Sequence, residues 1–158
     1  MSRNIEAEGN SVAILIREGV HFVEMMVVER IPKHLPTPGD THFRIKVQSH
    51  GFTGQGWTWI GAPSLENFVE QLRKLENHRQ GSGELSSLSP QQFWLQISSV
   101  DSLGHIAVAG QLAQLGHGVG GEHLLKFGFE LDPNTLLSIV KNFEAVVASE
   151  ASVLGEIE

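Results

Sequence analysis

Between Phe43 and Leu75 the spacing of apolar residues changes from a strand period to a helix period. In Phe43-Arg44-Ile45-Lys46-Val47-Gln48 apolar and polar residues alternate strictly, which puts Phe43, Ile45 and Val47 on one face of a half-buried strand. Ser49-His50-Gly51 then leads into Phe52-Thr53-Gly54-Gln55-Gly56-Trp57-Thr58-Trp59-Ile60, and so short a connection predicts an antiparallel hairpin. Gly54 and Gly56 read as bulge positions, and Trp57 and Trp59 as part of a core hairpin. After Pro63, Ser64 is placed to cap a helix with Glu66 in its first turn. Leu65, Phe68, Val69, Leu72 and Leu75 recur at helical spacing, and Glu70 is set to pair with Lys74 on the outer side.

The remaining elements follow from the same two periods. Ser11 to Arg17 reads as a strand, and Glu18-Gly19 turns it into a second run from Val20 to Glu29. That run is apolar on both faces, with Val23, Met25 and Val27 on one and Phe22, Met26 and Val28 on the other, as in a strand covered on each side or by a partner. Pro32, Pro36, Pro38 and Gly39 make Ile31 to Asp40 a loop, and Asn77 to Ser89, polar with Gly81 and Gly83, reads as another. Gln91 to Ser99 sets Phe93, Leu95 and Ile97 against Gln92, Trp94, Gln96 and Ser98, which puts Trp94 on the polar face. His105 to Leu115 and Leu125 to Leu131 give two more strands. At the end of the last, Asp132 is a good N-cap, Pro133 suits the first helical position, and Leu131 with Leu136 has staple spacing. Leu136, Ile139, Val140, Phe143 and Val147 form the stripe of that second helix.

Strands grouped around two helices, rather than alternating with them, predict an α+β fold: one antiparallel sheet of about six to seven strands packed with two α-helices. The 158 residues are expected to form a single domain with its core over about 11–147 and an acidic tail, 150–158, that frays.

Charge narrows the choice of partner. The formal net charge is -7, with the acidic excess at the two ends of the chain, which repels phosphate backbones and argues against a nucleic-acid partner while permitting a basic protein. The chain has no cysteine, so disulfides, thiolate chemistry and sulfur-ligated zinc are excluded. No apolar run reaches membrane-spanning length, and no signal peptide is recognisable, so a cytoplasmic protein without a membrane partner is expected.

Candidate chemistry is sparse. Gly116-x-Gly118-x-x-Gly121 matches a dinucleotide pattern literally, but a strand-like Leu124 to Leu131 follows where phosphate binding needs a helix. The same stretch carries His117, Glu122 and His123, two imidazoles and a carboxylate of the kind a divalent metal takes, on a glycine-rich segment that makes a poor rigid platform. No nucleophile elbow or assignable acid–base pair is found, so no catalytic residue is named and no cofactor is expected. Tryptophan is enriched where interfaces concentrate their energy, and Trp94, flanked on its face by Gln92 and Gln96, is the better binding candidate because its strand neighbours place it opposite the core.

The strand Phe43-Arg44-Ile45-Lys46-Val47, the glycine-aromatic strand Gly51-Phe52 to Trp59, the helix Leu65 to Leu75 and the ending Leu125-Lys126-Phe127-Gly128-Phe129-Glu130-Leu131-Asp132 with Leu136-Leu137 together resemble the WapI-type immunity proteins of bacterial polymorphic-toxin systems and their uncharacterised relatives. The likeness spans roughly residues 11 to 147. It implies a non-enzymatic domain that binds a cognate protein, in immunity proteins a toxin's effector domain, and it supplies no catalytic residues. The alternatives are a metal-dependent enzyme or ligand-binding domain using His117, Glu122 and His123, and a homo-oligomer built on the 20–29 strand.

Overall fold

The computed structural model describes residues 12–89, 91–114 and 121–149. Four strands, β1 (Ala13–Glu18), β2 (His21–Arg30), β3 (Thr41–Ser49) and β4 (Phe52–Ile60), form an antiparallel meander in the order β1-β2-β3-β4. Helix α1 (Ala62–His78) follows. A second antiparallel meander, β5-β6-β7-β8, is built from β5 (Ser82–Ser86), β6 (Phe93–Ser99), β7 (Ile106–Gln114) and β8 (His123–Leu131). A 3-10 turn, Pro133–Thr135, then leads into α2 (Leu136–Ala148).

The α+β class is as the sequence predicts, with two helices, but the single sheet of six to seven strands is replaced by two sheets of four. Hairpin signals join neighbouring strands and say nothing about where a sheet ends; here it ends at α1, across which β4 and β5 do not pair. The added strand, β5, lies inside the stretch 77–89 read as a loop. Its sequence, Ser-Gly-Glu-Leu-Ser, carries almost no strand signal, because its inner face holds only Gly83 and Leu85. Space there is tight: a β-carbon on Gly83 would stand 3.2 Å from Leu72 and 3.3 Å from Gln71 and Phe68 of α1. The side chain of α1 Gln71 accepts from the Glu84 N–H at 2.9 Å, which closes the free edge of β5.

One core draws on both sheets and both helices. Ile14, Ile16, Val23, Met25, Phe43 and Ile45 of the first sheet are buried in the same core as Leu95, Ile97, Val108 and Phe129 of the second, and Phe68 of α1 meets Phe143 of α2 edge-on, 5.0 Å between centroids at 81°. The predicted stripe of α2 is buried as far as Phe143, after which Val146 takes the fully buried place expected for Val147. Arg73 of α1 bonds Glu144 of α2 at 2.5 Å and also pairs with Glu70 at 3.5 Å, so the partner of Glu70 is Arg73 and not the predicted Lys74.

Helix starts differ from the sequence reading in instructive ways. Helix α1 begins at Ala62, with Gly61 as N-cap, and Ser64 lies within its first turn, bonded to Ser86. The orphan N–H of Ala62 is taken by Asp40 Oδ1 at 2.9 Å, a cap supplied from the proline-rich loop 22 residues earlier. Asp132 does cap as predicted, accepting from Asn134 N at 2.9 Å, but it caps the 3-10 turn that precedes α2.

Candidate functional site

The site begins in the pairing of β3 with β4. The hairpin pairs Ser49 with Phe52, which leaves a two-residue turn and sets Gly54, Gly56 and Thr58 opposite Val47, Ile45 and Phe43. Directly paired residues share a face, so the inner face of β4 is Gly54, Gly56, Thr58 and Ile60, while Gln55, Trp57 and Trp59 point outward. The glycines are not at bulges, since β3 and β4 pair without a register shift. They are there because the second sheet comes close: β-carbons on Gly54 and Gly56 would stand 3.0 Å from Leu125 and 3.3 Å from Leu112. The tryptophans read as core from the sequence are therefore displaced outward, and Trp57 is 49% exposed.

The bulge lies in β2 instead, between Val27 and Glu29. It shifts the phase by one residue, so that Glu29 joins His42 on the outer face and Arg30 turns inward opposite Thr41. Arg30 is 8% exposed; it donates through NH1 to the Gly39 carbonyl at 2.9 Å and Thr41 Oγ1 at 3.0 Å, and through NH2 to the Val147 carbonyl at 3.0 Å. Its Nε has no partner among the described residues. Desolvation lowers the Arg30 pKa, offset in part by Glu66 and Asp40. A cavity of about 430 Å³ opens beside it, lined by Lys33, Glu66, Val147 and Ser149 among others. With both terminal nitrogens committed to the end of α2 and the proline loop, Arg30 is a clamp on the fold.

Across the outer face of the first sheet the register aligns Ala13, Met26, Arg44 and Trp57 in one row, and Leu15, Glu24, Lys46 and Gln55 in the next. The Arg44 guanidinium lies 5.9 Å from the Trp57 ring centroid and its NH2 is 3.6 Å from Met26 Sδ. His42 stacks on Trp59 at 4.8 Å and 9°, and desolvation lowers its pKa against the opposing pull of Glu29. Phe22 and the 43%-exposed Leu15 complete the patch.

The outer face of the second sheet is different in kind. Its rows are Ser82, Ser98, Ala107, Glu130; then Glu84, Gln96, Ala109, Gly128; then Ser86, Trp94, Gln111, Lys126; and last Ala113 with the exposed Leu124. Trp94 and Gln96 stand on this face as their alternation requires, with Trp94 half-buried. Gln92 does not join them. It precedes β6, and its side-chain carbonyl accepts from the buried Thr58 hydroxyl at 2.7 Å while its backbone carbonyl accepts from Ala113 N at 2.8 Å. Gln92 thus ties β4 to β7.

Of the metal-type residues, His117 lies outside the described residues, Glu122 precedes β8, and His123 is exposed at its first position. Among the described residues no group of three His, Asp or Glu side chains is gathered to hold a metal. Among the described residues the one paired carboxylate and imidazole are Asp101 and His105, 2.6 Å apart in the exposed turn before β7, where hydrogen bonding raises the His105 pKa and lowers that of Asp101. Pairing of β2 with both β1 and β3 uses both its edges, so copies of the chain could meet through it only by its outer face. No described helix is long and apolar enough to cross a membrane.

This architecture is that of a two-sheet α+β domain whose sheets each keep one face outward. The family model described as "Immunity protein WapI-like family" matches residues 15–149, from β1 through the end of α2, and the chain belongs to that family. No curated protein matches the chain.

Proposed function

We propose that this chain is a non-enzymatic immunity protein that neutralises a cognate toxin by binding it, and that it docks through the outer face of its first sheet. Membership of the immunity family supports the class of activity. The contrast between the two outward faces supports the surface. Protein interfaces are enriched in Trp, Phe, Met and Arg and depleted in Ser, Ala and Glu. The first sheet presents Phe22, Met26, Arg44, Trp57 and Trp59, and the second presents mostly Ser, Ala, Gln and Glu around one tryptophan, with Leu124 at its end. The proposal extends to a bacterial, cytoplasmic setting, where an immunity protein protects the cell that makes it.

The face around Trp94 and Gln96 is the second reading, favoured by a single half-exposed tryptophan among small residues. Co-expression with the products of adjacent reading frames, followed by co-purification, tests the function and separates the surfaces. Trp57→Ala is expected to abolish recovery of the partner and Trp94→Ala to leave it intact. Repeated recovery of no partner by the unaltered chain would sink the proposal, and loss with Trp94→Ala alone would move the surface to the second sheet.

A further inference from the structure

Of the five arginines the structure describes, four give their guanidinium donors to oxygen. Arg17 reaches the Gly19 carbonyl at 3.2 Å, Arg30 the Gly39 carbonyl at 2.9 Å, Arg73 the Glu144 carboxylate at 2.5 Å, and Arg79 the Glu76 carbonyl at 3.1 Å. Arg44 is the exception: among the described residues its one polar contact is the thioether of Met26 at 3.6 Å, a weak acceptor. It is nonetheless held in place, half-buried in the middle of β3, with Trp57 on one side and Met26 on the other.

Covering such a group has a consequence. A desolvated guanidinium without an acceptor is strongly unfavourable, so a partner that docks on this face must bring oxygen to Arg44. We propose that Arg44 is the anchor for an aspartate or glutamate side chain of the protein partner, received by the planar fork of donors while apolar groups beside it settle on Trp57, Met26 and Leu15. This rests on the reading of the outer face as the interface and adds the chemistry of what it takes. The same face carries Arg17 and Lys46 against Glu24, which stands opposite Lys46, and Glu29, so with Arg44 it has a small positive excess that suits a single carboxylate although the chain as a whole is acidic. Nucleic acid offers oxyanions too, but the face sets only Arg17, Arg44 and Lys46 against Glu24 and Glu29, too little excess charge to track a phosphate backbone.

The test uses the full-length chain labelled with nitrogen-15 and reads the Nε–H signal of Arg44. Two synthetic peptides share the same Leu and Phe positions and differ only in carrying Glu or Lys between them; oligothymidylate is the third probe. The Glu peptide is expected to shift the Arg44 signal and to bind about tenfold tighter than the Lys peptide, the size of one charge-assisted hydrogen bond. Arg44→Gln should erase that preference, and Arg44→Lys should restore part of it, since charge returns without the fork. Arg44 makes no oxygen contact among the described residues, so both variants are expected to fold. Equal binding of the two peptides, binding of oligothymidylate alone, or no shift with any probe overturns the assignment. A partner still recovered by co-purification in that case would leave the immunity reading standing and remove only the role of Arg44.

Discussion

Gly56 lies directly beneath Leu112, with the place of its missing β-carbon 3.3 Å from Leu112 Cδ1. This close approach of β4 to β7 turns the usual logic of an aromatic strand over: small residues face the core and tryptophans face out. The neighbouring strand shows the same economy of space. A β-carbon on Gly110 would fall 2.3 Å from Phe127 Cζ and 2.6 Å from the Trp94 carbonyl oxygen. Gly110→Ala is therefore expected to destabilise the protein by about 2–4 kcal/mol, because backbone as well as a side chain must move. Gly56→Ala meets only a flexible leucine end and should cost about 1 kcal/mol. Urea unfolding of the two variants orders the effects, and equal costs would contradict the geometry.

Arg30 joins the end of α2 to the proline loop and to β3. Arg30→Met removes the charge and takes the guanidinium donor from the Val147 carbonyl, from Thr41 Oγ1 and from the Gly39 carbonyl, of which the last keeps the Thr41 hydroxyl at 3.0 Å. A loss of about 2–4 kcal/mol is expected in chemical denaturation, because groups left unpaired in the interior retain their desolvation penalty. Hydrogen exchange should speed up first in the last turn of α2, while an unchanged exchange pattern there would show that the clamp is dispensable.

Gln92 is expected to act on stability and not on binding. Gln92→Ala leaves the buried Thr58 hydroxyl without its acceptor at 2.7 Å and should cost about 1–2 kcal/mol. Partner recovery by this variant should match the unaltered chain at a temperature where both are folded.

The Asp101–His105 turn carries a pH dependence whose sign can be worked out. The His105 pKa is raised from 6.5, so its contribution is full below pH 6.5 and is lost as pH rises through the folded value. The Asp101 pKa is lowered from 3.8, so its contribution is present above pH 3.8 and is lost as pH falls through the folded value. The turn should be tightest between these limits. Titration of the His105 ring by NMR should give a pKa above that of a free histidine, and Asp101→Asn should return it toward 6.5; no change on substitution would show that the bond does not persist in solution.

Periodicity alone determined much of this protein. Strict alternation in Phe43 to Gln48 and in Phe93 to Ser99, the helical stripe from Leu65 to Leu75, and the Asp132-Pro133 start signal are local facts of the chain, since each depends on residues within a few positions of one another. The family resemblance was legible for the same reason, as an order of elements, and the match over 15–149 shows it. Tertiary structure decided the rest. Whether Gly54 and Gly56 mark a bulge or a close contact depends on Leu112 and Leu125, more than 50 positions away, and that contact sets which side of the strand Trp57 occupies. The turn was the one local clue, because pairing Ser49 with Phe52 already puts Trp57 beside Arg44. Where the sheet ends, why so polar a segment as Ser82–Ser86 becomes a strand, and how a bulge at Val28 brings Arg30 inside are likewise questions of what packs against what. A sequence lists side chains in order; the faces they share are fixed only when distant strands compete for the same space.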